Sequence, residues 1–500
     1  MRSLAVAALL ATALLAGCSG TTDDAGTPDL PTGDELGNLG PGAFYNATAT
    51  TDLAPTLVGG LFATKTPLYR DPQNTPHPSF NFPTLAWPAT GEGVPALWKA
   101  IPPGELPGTI TDLELVKQTP GVSSGAGAAV FGSIVVVPGF GADTSVVDIS
   151  DPTNPTVLSQ FRPQEGMATH RGAAFIPYPD GTLVVVISTG AGIDVWDLTD
   201  PKAPQPLPFL LMNRTDGSSI GSHKVGVIPG TPIVVNAASD GGAARDPATS
   251  TGVTQMWDLS DPTNPFRLPD FQNGYSCHHV YFWNDRDAGK YRGVCAGVQY
   301  TQLWDTTDPY DPSVIVSIPF GTGGTPLSPA GSVQFSAGLS HYAGLNLDGT
   351  ILMMGDESGG GSTPPGCTVS IDVPGVGAVG APIGAVWFYD VSDEANPTYL
   401  GYYSASQDQK LMNGGDAPTS CTAHHGRLIP VPGRDVLAMS FYGAGVVVID
   451  FTGMRSEGSA HFASTAAQFA DGSDTWETLY YNGYLFTGDL NRGMDVLKLV

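Results

Sequence analysis

Residues 190–210, GAGIDVWDLTDPKAPQPLPFL, decide the fold, because versions of them recur along the chain. They read as a glycine turn, a strand closing on Asp197, an Asp-Pro turn and a second strand. Just upstream, residues 170–188 (HRGAAFIPYPDGTLVVVIS) read as two further strands joined at a Pro-Asp-Gly turn. Short apolar runs bounded by Gly, Pro and Asp mark strands. Together the two stretches make one four-stranded unit.

Copies of the unit start at Gly141 (GADTSVVDISDPTNP), Gly252 (GVTQMWDLSDPTNP), Val298 (VQYTQLWDTTDPYDP), Gly384 (GAVWFYDVSDEANP) and Gly443 (GAGVVVIDFTGM), and NRGMDVLKLV ends the chain. Six copies carry a strand-ending aspartate, at Asp148, Asp197, Asp258, Asp305, Asp390 and Asp450, and Lys498 takes that slot in the seventh. Successive spacings are 49, 61, 47, 85, 60 and 48 residues, the long one reflecting a Gly/Pro-rich insertion around residues 359–380. A four-stranded unit at this period is the pattern of propeller blades. Hairpin signals at Asp180-Gly181, Asp348-Gly349, Pro432-Gly433 and Asn482-Gly483 agree. The Gly-x-Gly pairs at 190/192 and 443/445 precede alternating strands and not helices, which excludes a dinucleotide loop. With 64 Gly and 44 Pro in 500 residues, long helices are disfavoured throughout.

The seventh copy stops after its third strand. Residues 110–118 (ITDLELVKQ) are strand-like and have no other home. Pairing them with the last copy closes the ring and removes exposed edges. The expected fold is all-β, a seven-bladed β-propeller over residues 109–500, its ring closed by an N-terminal strand.

The repeated pattern, apolar-x-apolar-apolar-Asp-apolar-Ser/Thr-Asp-Pro-x-x-Pro, as in SVVDISDPTNP and QMWDLSDPTNP, resembles the LVIVD repeat of exported bacterial and archaeal proteins. The resemblance covers residues 121–500 and implies a β-propeller without implying a reaction. The sixth copy departs from it: Phe451-Thr452-Gly453-Met454 replaces the Asp-Pro turn.

The N-terminus points to export. Arg2 precedes an uncharged run from Leu4 to Ala16 that ends in Leu15-Ala16-Gly17-Cys18. This is a secretory signal, too short for an ordinary membrane span. Its ending resembles a bacterial lipobox, which implies removal of residues 1–17 and lipidation of Cys18. Residues 18–40, rich in Gly, Thr, Asp and Pro, then form a flexible lipidated tether, and residues 41–108, rich in Pro and aromatics, an irregular segment packed on the propeller. The expected location is the outer face of a membrane, with the lipid as anchor and the protein a monomer. Losing Arg2 moves the net charge from −26 to −27, which argues against nucleic acid as a partner.

Export makes disulfides the expected state of the remaining cysteines. Cys277 and Cys295 flank the turn at residues 285–289 as a cross-strand pair would, leaving Cys367 with Cys421 by elimination.

Seven of nine histidines share a register. His170, His223, His278-His279, His341 and His424-His425 each precede the apolar strand that is innermost in its blade. Gly125 takes the slot in the first blade and a residue near Trp476 in the seventh. Equivalent positions of successive blades form a ring at one channel mouth. Imidazole is a favoured ligand for Cu, Zn, Fe and Ni, and His170, His223, His279, His341 and His425 are the candidate ligands for a Cu or Zn ion. A residue that recurs once per repeat also fits an architectural role, a hydrogen bond within its own blade, and another polar ligand is the third reading. In the doublets, strand alternation turns one histidine towards the channel and the other into the blade. The Trp-Asp dipeptides at 196, 257 and 304 fit packing between blades. Asn284-Asp285-Arg286-Asp287 lacks calcium-loop spacing and reads as a hairpin tip. Glu165 and Arg171 flank the first ring position.

Two functions fit these features: a lipid-anchored cell-surface binding or scaffold protein with an unknown protein or small-molecule ligand, or an exported metal-dependent, copper-type oxidoreductase using the histidine ring.

Overall fold

The structure is a computed structural model. It describes residue 101 and residues 106–500, except 165–168, 179, 214–218, 240–252, 286–288, 299, 320–338, 358–367, 374–376, 383, 406–419, 432, 458–460, 463 and 469–471. The expected signal peptide, tether, lipidated Cys18, Cys367, Glu165 and nearly all of residues 41–108 lie outside the described residues.

Among the described residues seven sheets of four or more strands, antiparallel but for one added strand, form the blades of a propeller. The first strands are Ala129–Phe131, His170–Pro177, Lys224–Val227, His279–Asp285, Ser340–Leu345, Gly426–Ile429 and Thr475–Tyr481. First strands of neighbouring blades lie against one another around the axis, those of the first to second, second to third, third to fourth, fourth to fifth, and sixth to seventh blades making close contact. The core is divided accordingly into apolar sectors between adjacent blades. Trp196 sits in such a sector, its ring 4.4 Å from that of Phe161 in the preceding blade, and Trp304 packs edge-on to Phe271.

The repeat motif is turn chemistry. Each strand-ending aspartate accepts the backbone N–H two residues on: Asp148 from Ser150 at 2.8 Å, Asp197 from Thr199 at 2.7 Å, Asp305 from Thr307 at 2.9 Å and Asp390 from Ser392 at 2.8 Å. The second aspartate repeats the device, Asp151 accepting from Thr153 and Asp200 from Lys202, each at 3.0 Å. These paired Asx turns swing the chain from the third strand into the outer one. In the sixth blade Asp450 keeps the first turn, onto Thr452, and a four-residue helix, Met454–Glu457, stands where the second would be. There the chain detours to the neighbouring blade, where His461–Phe462 pairs in parallel with the outer strand Thr398–Tyr403, before Ser464–Gln468 completes the sixth blade. The insertion of the fifth blade contains a hairpin of Thr368–Val373 and Gly377–Pro382.

The ring closes as expected. Leu113–Gln118 pairs antiparallel with Asp495–Leu499, Leu113 opposite Leu499 and Leu115 opposite Leu497. The backbone of Thr111 donates to Val500 O at 2.8 Å, and Leu113, Leu497 and Leu499 are buried. The chain's first described strand is thus the outermost strand of its last blade. At the Asn482-Gly483 hairpin both residues have positive φ, 46° and 92°, the backbone of a tight primed turn. Cys277 and Cys295 form a disulfide. Cys421 is also disulfide-bonded, its partner lying outside the described residues.

Candidate metal centre

The side chains just before and at the start of the first strands meet at the axis. His223 and His278 immediately precede their strands, and the His424-His425 pair precedes Gly426–Ile429. His341 and Trp476 are second in theirs, each skipped by a bulge in the pairing, between Ser340 and Tyr342 and between Thr475 and Glu477. A bulge re-aims one side chain without ending the strand. The same irregularity follows His170, whose pairing shifts before Ala173.

The imidazoles form a contiguous stack. Ring centroids are 3.8 Å apart for His223 and His278, 4.2 Å for His278 and His341, 4.2 Å for His341 and His424, and 4.6 Å for His341 and His425. His279 joins through His425 at 4.8 Å. Trp476 covers His424 at 4.9 Å, and Phe140 lies 5.0 Å beyond it. Five of the six histidines are buried and His223 is partly so.

Of the expected ligands, His223, His279, His341 and His425 are therefore in one cluster, and His278 and His424 belong with them. The expectation that one doublet member faces the blade does not hold: alternation applies within a strand, and His278 and His424 lie outside theirs. His170 is held apart. Its Nδ1 and Nε2 are each 2.6 Å from a partner, Thr144 Oγ1 and Asp194 Oδ2, so it ties the first blade to the second. For that histidine the geometry is architectural.

Glu357, just past the fifth blade's second strand, Ile351–Asp356, was not legible in the sequence. Its Oε2 is 3.4 Å from His341 Nε2 and its Oε1 3.9 Å from His424 Nε2, and it accepts a hydrogen bond from the Tyr442 hydroxyl. Tyr442 has a φ of 47°, a strained conformation for an aromatic residue. A second buried group lies beside the histidines: Glu477 takes Lys224 Nζ at 2.7 Å and Arg427 Nη2 at 2.9 Å. Gly127 is required next to it, since a Cβ there would stand 3.0 Å from Glu477 Oε2 and 2.5 Å from the Arg171 carbonyl.

Burial sets the protonation states. It holds His223, His279, His341, His424 and His425 well below the usual imidazole range, assisted for His279 and His425 by the positive charge of Lys224. His278 is pushed down to about 3 by burial and then by Arg171 and Lys224. Burial raises Glu357 to about 8, the Tyr442 hydrogen bond opposing it. Burial also works to raise Glu477, but Lys224 and Arg427 outweigh it and hold it below the carboxylate range.

The stack is thus a set of neutral imidazoles with free lone pairs, the form that binds metals. Ligand atoms of His341, His424 and His425 lie within 4.8 Å of one another, and so do those of His278, His341 and Glu357. Ligands on one tetrahedral ion are about 3.4 Å apart for bonds near 2.1 Å, so the rings would have to close by an ångström or so to hold an ion. Among the described residues several ring nitrogens are buried without a hydrogen-bond partner: His223 Nδ1, His278 Nε2, His279 Nδ1 and both nitrogens of His425. Buried polar atoms are ordinarily satisfied, and so many within one cluster point to a ligand that the protein's own groups do not replace.

No protein-family model matches the chain, and no curated protein does. Among solved structures it is similar to Raptor from Chaetomium thermophilum, at 11% identity and a TM-score of 0.47, over 78% of this chain and 29% of that one. It is similar also to the β-propeller domain of Cps50 (Swd1) from Myceliophteria thermophila, at 10% identity and a TM-score of 0.44, over 79% of this chain and 98% of that one.

Proposed function

We propose that this protein is an exported, lipid-anchored β-propeller of the LVIVD-repeat type that binds a transition metal ion at its axis. The observation that carries the metal reading is the stack of six neutral imidazoles at the axis, four of which, His223, His278, His279 and His425, carry ring nitrogens without a hydrogen-bond partner among the described residues. An architectural histidine in this molecule looks different from those four: His170 has both nitrogens engaged. The donor set suits Cu or Zn. A copper ion there would support oxidoreductase chemistry, while a zinc or structural ion fits the binding or scaffold role that the propeller offers equally. Attachment through Cys18 rests on the lipobox resemblance alone.

The test is metal content. The full chain carrying Cys18→Ala, purified and exhaustively desalted, is expected to retain a stoichiometric transition metal, and His223→Ala combined with His341→Ala to lose it. A metal-free wild type destabilised by each single His→Ala change would make the stack architectural and refute the reading.

A further inference from the structure

The cluster has more donors than one ion takes. Six histidines and Glu357 supply seven side-chain ligands linked in one connected group. A transition metal in a four-coordinate site uses three or four protein ligands, so a single ion would leave at least three of these donors beside it without a metal.

Two groups of donors lie close enough for each to hold an ion. One is His341, His424 and His425; the other is His278, His341 and Glu357. They share His341 and differ in everything else. Each has its own unpartnered nitrogens, both of His425 in the first and Nε2 of His278 in the second. The remaining histidines extend the two sets in different directions, His279 lying against His425 at 4.8 Å and His223 against His278 at 3.8 Å. His341 stands between, 4.2 Å from both His278 and His424. The donors differ as well, nitrogen only in the first set and nitrogen with a carboxylate in the second.

We infer that the axis holds two divalent first-row ions, copper or zinc, one on the His424/His425 side and one on the His278/Glu357 side, with His341 between them. This inference rests on the metal reading above. The experiment separates the two. The full chain with Cys18→Ala is loaded with Zn(II) or Cu(II), desalted, and its metal counted by mass spectrometry. Two ions per chain are expected. One ion per chain overturns the inference and leaves the metal reading standing; none overturns both. Glu357→Gln and His425→Ala should each bind one ion, and His461→Ala, outside the cluster, two. Retention of two ions by Glu357→Gln overturns the assignment of the second set. Should the variants fail to fold, the wild type decides: its Cu(II) form should show the magnetic coupling of two neighbouring copper ions in electron paramagnetic resonance, and an uncoupled mononuclear spectrum at full loading overturns the inference.

Discussion

Replacing Glu477 by Gln removes a carboxylate that holds two buried cations. Lys224 Nζ is 2.7 Å and Arg427 Nη2 2.9 Å from its oxygens, and all three side chains are more than nine-tenths buried. At an effective dielectric of about 20, unit charges about 4 Å apart attract by about 4 kcal/mol. Desolvation offsets much of that in the intact triad. It offsets nothing once the carboxylate is gone, because the cations remain buried. The expected loss is about 3–5 kcal/mol at pH 7, read as unfolding free energy by denaturant titration with a chelator present. The pH dependence identifies the cause. Glu477 has a folded pKa below its unfolded value, so its contribution is complete above about pH 4.3 and is lost as pH falls through the folded pKa. The gap between wild type and variant should be flat from pH 7 to about 5 and close below about 4. A gap under about 1 kcal/mol, or one unchanged at pH 3, would refute the reasoning.

Three further outcomes follow from the same geometry. Leu113→Ala, in the strand that closes the ring, should cost about 2–5 kcal/mol in thermal or denaturant unfolding, as expected for a buried leucine. His170→Ala should lower stability by about 1–3 kcal/mol, because it removes the buried hydrogen bonds to Thr144 and Asp194, and should leave metal content unchanged, whereas His341→Ala should empty the site. The chelated protein should lose stability as pH falls from about 6.5 towards 3: the unfolded histidines take up protons there that the native ones refuse, at about 1.4 kcal/mol per pH unit for each. Melting temperatures across that range check the trend, and His278→Ala or His425→Ala should flatten it.

The blades were legible because their signal is local. Asp197-Leu198-Thr199-Asp200-Pro201 is two turns whose hydrogen bonds close within two residues, so any copy can be recognised on its own. Closure by residues 110–118 was legible by difference, from a last blade that lacked a strand. The histidine register was legible for the same reason as the blades. Which histidines converge was not, since it depends on a bulge at His341 and on His278 and His424 preceding their strands. His170 shares the register and leaves the cluster because Thr144 and Asp194, from two different blades, hold it. Glu357 and Glu477 reach the axis through tertiary placement, and nothing in a chain with 47 acidic residues distinguishes them.

The central claim is a transition metal held by the axial imidazoles. X-ray absorption at the copper and zinc edges of the full Cys18→Ala chain, expressed with both metals supplied, tests it most directly. The account predicts a retained ion with nitrogen ligands at about 2.0 Å, lost from His341→Ala. A chain that retains no metal, or an ion surrounded by oxygen alone, would contradict it.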